Sequence, residues 1–292
     1  MGLLKPLLET MRPRQWPKNG FVFGALLFDR QVLEWSSLGR TLAAFALLCL
    51  MSSAVYVMND LADVESDRQH PQKRKRPLPS GRLSPTVARL ATATLTVVSL
   101  AAGYTLSPAL ALVLFTYWLI QVAYTFRLKH VVLLDVLIIA AGFVLRVAAG
   151  VTVIEVERFS PWLYVCMALL ALFMALGKRR HELVLLGQNA SNHRSILGEY
   201  NLDLIDRLIG IVTTSTLVAY SLYTFLAEGL PENHLMMLTI PFVLYALFRY
   251  LYLIHVRQEG GAPEEVLLRD RPLQVNLVLW LVMVYLALYV VA

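Results

Sequence analysis

Long apolar runs alternate with short polar clusters along the whole chain. A helix crossing a bilayer core of about 30 Å needs roughly 20 mostly apolar residues. Nine segments approach or reach that length, at about 17–34, 38–58, 85–106, 108–126, 131–151, 160–177, 207–228, 235–256 and 272–291. The first is the weakest, because its uninterrupted apolar run ends at Asp29. Pro and Gly mark the joints at Ser107-Pro108, Ser160-Pro161, Gly229-Leu230-Pro231, Gly260-Gly261-Ala262-Pro263 and Arg271-Pro272, as expected of residues that interrupt helices. The pattern predicts an all-α polytopic membrane protein, with residues 1–292 forming one integral membrane domain.

Composition agrees with that pattern. Hydrophobic residues make up 58% of the 292 positions and charged ones 16%, with mean hydropathy +0.61, against roughly 45–50% and 25% in soluble domains. Cys49 and Cys166 lie inside apolar runs and read as packing residues. Met1 to Lys18 is basic without a small-residue cleavage site after its first apolar stretch, so the first helix is expected to stay in the mature protein.

Charge then orients the spans. With alternating sides, twenty of the 26 Lys and Arg fall on the side of the N-terminus, three on the other and three within spans. By the positive-inside rule the rich side is cytoplasmic, which places the chain in the inner membrane with its N-terminus inside. The long polar connections 59–84 and 178–206 share that face, so chemistry is expected there. The net charge of +6 is accounted for in part by attraction to anionic membrane lipid and calls for no nucleic acid.

The strongest chemical signal is Asn59-Asp60-Leu-Ala-Asp63-Val-Glu-Ser-Asp67, directly after an apolar span. On a continuing helix Asp60, Asp63 and Asp67 share one face, with Asn59 on its flank. Carboxylates so close repel unless a cation neutralises them, and Mg²⁺ suits hard oxygen ligands shared with substrate phosphates and water. The run Lys73-Arg74-Lys75-Arg76-Pro-Leu-Pro-Ser-Gly-Arg82 follows. Such cations either pair with phosphate oxygens, Arg by bidentate contact and Lys as a point charge, or merely fix topology. A third group is Tyr124-Thr-Phe-Arg-Leu-Lys129-His130, with Asp135 and Arg146 in the next span. These two lie about three turns apart, so each needs a partner elsewhere, on another helix or in a substrate. The fourth group is Lys178-Arg179-Arg180-His181-Glu182, then Arg194, Tyr200 and Asp203. Lys178 and Glu182 have the spacing of a surface pair, and neither His181 nor His193 has zinc-ligand spacing with the cysteines.

The acidic motif, the Arg76-Pro-Leu-Pro-Ser-Gly81 follow-on and the nine spans resemble the UbiA superfamily of intramembrane prenyltransferases over nearly the whole chain. The resemblance implies helices ringing a lipid-open cavity under a cytoplasmic polar cap. Ordinary members carry a second Asp-rich motif where this chain has Lys178-Arg179-Arg180-His181-Glu182. With Met11-Arg-Pro-Arg14-Gln-Trp16-Pro-Lys18-Asn19 and the Tyr124 to His130 stretch, the chain is similar to the branch containing decaprenyl-phosphate phosphoribosyltransferase.

That branch implies transfer of phosphoribosyl from 5-phosphoribosyl 1-diphosphate to a polyprenyl phosphate lipid, releasing pyrophosphate. It implies Mg²⁺ on Asn59, Asp60, Asp63 and Asp67, and catalytic roles for Asp60, Asp63, Lys73, Tyr124 and Lys129. Substrate contacts fall to Lys18, Arg74, Lys75, Arg76, Arg146, Lys178, Arg179, Arg180, Glu182, Arg194 and Tyr200, and the arrangement leaves room for a homo-oligomer. The alternatives are prenyl transfer from a prenyl diphosphate to an aromatic acceptor, or a membrane carrier. The gathering of polar residues on one face argues against the carrier.

Overall fold

The computed structural model describes residues 3–156, 160–186, 195–227, 230, 231, 233–259, 266 and 269–291. Among these every regular element is helical. The chain groups into two compact units, the first comprising 1–27, 31–128 and 145–155, the second 28–30, 129–144 and 156–292.

In the first unit α1 (Leu4–Met11) leads into a 3₁₀ run over Pro13–Val22 and then α2 (Phe23–Phe28). The central helix is α3 (Trp35–Ala62), followed by the short α4 (Val64–Gln69), α5 (Pro85–Leu106) and α6 (Pro108–Phe126). Ser84 and Ser107 start α5 and α6 by accepting from the N–H of Val87 and Leu110, each with proline as the first helical residue. α3 packs on α1, the 3₁₀ run, α5 and α6. Gly103 lets α5 and α6 close up, because a Cβ there would lie 2.8 Å from Leu114 Cδ1.

Eight helices among the described residues are long and apolar enough to cross a membrane, and the expected first span, 17–34, is not one of them. Pro17, inside the segment, lacks the N–H an α-helix would use, and residues 13–22 take 3₁₀ bonding. This segment still travels the length of α3, antiparallel to it. Trp16 Nε1 donates to Ser53 Oγ at 3.1 Å and Asn19 Nδ2 to Ser52 Oγ at 3.2 Å. The rings of Phe23 and Phe45 lie 5.6 Å apart and Ser37 Oγ donates to Gln31 at 2.5 Å. The partners on α3, from Ser37 to Ser53, span about 24 Å at 1.5 Å per residue.

α7 (Leu134–Val151) begins in the second unit and ends in the first. At its end Gly150 meets the first segment so closely that a Cβ would stand 2.0 Å from Val22 O. The second unit adds α8 (Pro161–Leu186), α9 (Leu202–Leu226), α10 (Ile240–His255) and α11 (Arg271–Tyr285). α8 packs along α9, over a core that includes Phe173, Leu176, Ile205, Ile209 and Tyr250. Cys49 and Cys166 are free and buried, as packing residues should be. α8 runs nine residues past the expected end at 177, so Lys178 to Glu182 sit on a helix and not in a loop. No breaker interrupts the sequence before Gly187.

Candidate functional site

The first unit carries the acidic motif at the C-terminal end of α3, where the helix dipole disfavours anions. Asp60 and Asp67 are nevertheless buried, each 2% exposed. Cations from elsewhere explain it. Arg12 donates to Asp60 Oδ1 at 2.5 Å. Arg76 Nη1 reaches both carboxylates, Asp67 Oδ2 at 2.7 Å and Asp60 Oδ1 at 3.3 Å. Lys73 Nζ stands 3.7 Å from Asp67 Oδ1.

The loop that presents Arg76 is anchored. Leu78 and Leu83 are buried with Met11, Val57 and Ala88, the Leu83 N–H donates to Pro77 O at 3.0 Å, and Gly81 turns the chain at φ +75. A left-handed residue there favours glycine.

Two expectations for the motif need correction. The helix does not continue through it. α3 ends at Ala62, Asp63 sits at the break with φ −98 and ψ 8, and α4 starts afresh. Asp60, Asp63 and Asp67 therefore do not share a helix face. Nor are four ligands gathered, since among the described residues no group of three His, Cys, Asp or Glu is placed to hold a metal. Asn59 turns its side-chain oxygen to the Thr125 hydroxyl, and Asp63 is half-buried.

The remaining pair still suits Mg²⁺. Two acceptor-only carboxylates reach a single cationic atom, Arg76 Nη1, and Mg²⁺ is commonly held by one or two carboxylates with phosphates and water. The donor set fits, provided Arg76 gives way.

Elsewhere in this unit Arg74 and Lys75 are exposed, while Lys18 and Tyr124 are half-buried. Arg146, 6% exposed, donates to Asn19 Oδ1 at 2.8 Å and Tyr117 Oη at 3.0 Å. Asn19 in turn donates to Cys49 Sγ at 3.3 Å. The interhelical reading of Arg146 is the one its contacts display.

In the second unit Arg179 and Asp135 are 1% and 0% exposed and pair at 2.8 Å. Arg179 also donates to Glu182 at 2.6 Å. The Tyr200 hydroxyl donates to Asp135 at 2.6 Å and accepts from the Leu133 N–H at 2.8 Å. Burial first, and then the bond to the Asp135 carboxylate, push the Tyr200 phenol up to about 12, so it remains a donor at neutral pH. Arg180 binds Asp206 at 2.7 Å and Ile254 O at 3.1 Å. The expected substrate cations Arg179 and Arg180 are thus built into the protein, and Glu182 pairs with Arg179 instead of Lys178. Lys178 is exposed and Lys129 half-buried. Arg194 lies outside the described residues.

Arg12 is a site residue to which the sequence alone assigns no role, although it pairs with Asp60. It stands 48 positions from Asp60, and its left-handed backbone, φ 53, leaves no mark in the sequence beyond the following proline.

Comparisons with known proteins agree with the fold. The model of the UbiA prenyltransferase family matches residues 20–268. Decaprenyl-phosphate phosphoribosyltransferase of Mycobacterium tuberculosis is 33% identical, covering 96% of this chain and 93% of the relative. The protein of the same name from Mycolicibacterium smegmatis is 34% identical over 99% and 94% of the two chains. A UbiA homolog from Archaeoglobus fulgidus bound to GPP and Mg²⁺ shares the fold, with TM-score 0.75 over 98% of this chain and 100% of that one, at 18% identity. By its sequence and its fold, the chain belongs to the UbiA prenyltransferase family.

Proposed function

We propose that the protein transfers the 5-phosphoribosyl group of 5-phosphoribosyl 1-diphosphate to a polyprenyl phosphate at the cytoplasmic face of the inner membrane, releasing pyrophosphate. The observation that carries this reading is the pair of buried carboxylates converging on one cation, edged by Arg12 and Lys73. It supports a site for a divalent metal and a diphosphate. The choice of donor and acceptor rests on relatives of that name at 33–34% identity over nearly the full length of both chains.

Asp60 and Asp67 would hold Mg²⁺, with Asn59 and Asp63 beside them. Mg²⁺ supplies charge neutralisation of the leaving diphosphate. Lys73, Arg74 and Arg76 bind its oxygens, where negative charge grows as the C1–O bond breaks. A lipid phosphate oxygen forms the new bond to C1 with inversion, and the electron pair of the old bond leaves with pyrophosphate. The acceptor is already an anion, so no general base is required. Lys75 and Lys18 are assigned to substrate, and Tyr124 and Lys129 to catalysis, through the family resemblance.

The test uses protein purified in lipid nanodiscs with Mg²⁺, offered 5-phosphoribosyl 1-diphosphate with decaprenyl phosphate, or a prenyl diphosphate with an aromatic acid. Pyrophosphate release and a new phosphoribosyl lipid are expected only in the first reaction. Asp60→Asn should lose more than the roughly 10–100-fold typical of residues behind a metal's ligands. Product only from the prenyl diphosphate would reverse the assignment.

A further inference from the structure

The chain adopts an unfavourable backbone in order to present Arg12. α1 ends on this residue at φ 53 and ψ 62, a left-handed conformation that side chains with a Cβ resist, and Pro13 follows. Ser53 sits at the bend, accepting from Trp16 Nε1, with its hydroxyl shared between Cys49 O at 2.7 Å and Met11 O at 3.2 Å. The guanidinium then lies 5.1 Å from the Tyr56 ring centre and 2.5 Å from Asp60. Backbone strain of this kind concentrates at functional sites.

Exposure separates the partners. The side chains of Asp60 and Asp67 are each 3% exposed, whereas Arg12 is 31%, Arg76 33% and Lys73 43% exposed. The cations therefore stand on the solvent side of the carboxylates, where an arriving anion meets them first.

We propose that Arg12 and Arg76 are resident counter-ions of Asp60 and Asp67, displaced by a metal–diphosphate but not by metal alone, and that Arg12 then binds the diphosphate. This rests on the metal and diphosphate placement given above. Metal alone must break both ion pairs and leave two guanidiniums beside a divalent cation. Metal arriving with a diphosphate gives each displaced guanidinium a phosphate oxygen, through charge-assisted and often bidentate contacts. The two ligands are thus coupled, and the coupling is reciprocal.

Binding of Mn²⁺, read by electron paramagnetic resonance on the detergent-purified full chain, tests this with and without inorganic pyrophosphate at fixed free Mn²⁺. Wild type should bind Mn²⁺ weakly alone and about tenfold or more tightly with pyrophosphate, within the usual range of coupling between sites. Arg12→Gln and Arg12→Gly should each bind Mn²⁺ alone more tightly than wild type, by a similar factor, and lose most of the pyrophosphate effect. Arg12→Gly also removes the backbone strain, so it serves if the glutamine variant folds poorly. Arg12→Lys should keep part of the coupling. Unchanged or weaker Mn²⁺ binding by Arg12→Gly would overturn the proposal. Wild-type binding by Asp60→Asn would overturn both it and the metal placement. The expected coupling, with a prenyl diphosphate bound in preference to phosphoribosyl diphosphate, would uphold the counter-ion role and reject only the donor assignment.

Discussion

Replacing Arg179 by methionine should damage the stability of the second unit far more than substrate binding. The side chains of Arg179 and Asp135 are 2% and 0% exposed, so the variant keeps most of the buried volume but takes the cation from a carboxylate held away from water. Breaking a buried pair from one side costs about 3–5 kcal/mol. A lost phosphate contact would instead appear as about 1.5–3 kcal/mol of binding energy. Changing both partners, Asp135→Leu with Arg179→Met, should recover much of the stability, since well-packed apolar pairs often equal or exceed buried ion pairs. The Tyr200 hydroxyl loses its acceptor in that double variant but still receives the Leu133 N–H, so Tyr200→Phe should bring no further gain. Unfolding by SDS titration of detergent-solubilised protein, followed by tryptophan fluorescence, gives the stability arm. Calorimetric titration with phosphoribosyl diphosphate gives the binding arm. Wild-type stability in Arg179→Met together with a Kd raised about tenfold, equivalent to roughly 1.4 kcal/mol, would show that the guanidinium serves substrate and that the pairing with Asp135 is incidental.

Two further outcomes follow from close contacts. Gly150→Ala places a methyl 2.0 Å from the backbone oxygen of Val22, which cannot rotate aside, so a loss of about 1–3 kcal/mol or more is expected. Gly20→Ala, with nothing within 4 Å of the added Cβ, should be near neutral, both variants being read by the same SDS titration. The hydrogen bond from Arg249, joined by the Leu273 N–H, holds the Asp270 carboxyl below its ordinary value of 3.8. A depressed carboxyl adds stability above its unfolded value, and that contribution fades as pH falls through the lower folded value. Asp270→Asn should therefore destabilise by about 0.2–1 kcal/mol near neutral pH, and the difference from wild type should vanish below the folded value. Asp270→Ala should cost about 1 kcal/mol more, because asparagine keeps the helix cap and alanine does not.

The expected spans 85–106 and 108–126 are α5 and α6 to the residue, with Ser107-Pro108 marking the joint between them. Asp135 and Arg146, too far apart on one helix to pair, do find separate partners in Arg179 and Asn19. What escaped depends on contacts distant in sequence. Arg179 and Asp135 are 44 positions apart, and a basic run after a span looks the same whether its cations face substrate or a buried aspartate. The break at Asp63 was hidden for another reason. No Gly or Pro marks it, and it accompanies the pull of Arg12 and Arg76 on Asp60 and of Arg76 on Asp67. The 3₁₀ form of the first segment was legible in principle from Pro17, but apolar content alone favoured a span.

The first segment has a bearing on biogenesis. Its 3₁₀ backbone, with Pro17 inside it, lacks the regular ladder that lets an isolated helix settle among lipid tails, where irregular backbone is tolerated only against protein. Its polar side chain Asn19 is satisfied by Ser52 on α3 and by Arg146, which is synthesised 127 residues later. The ribosome must therefore have delivered α7 before the N-terminus can reach its final place. A segment made before α3 is thus seated only after α7, and a nascent chain stopped short of Arg146 should leave it open to proteases.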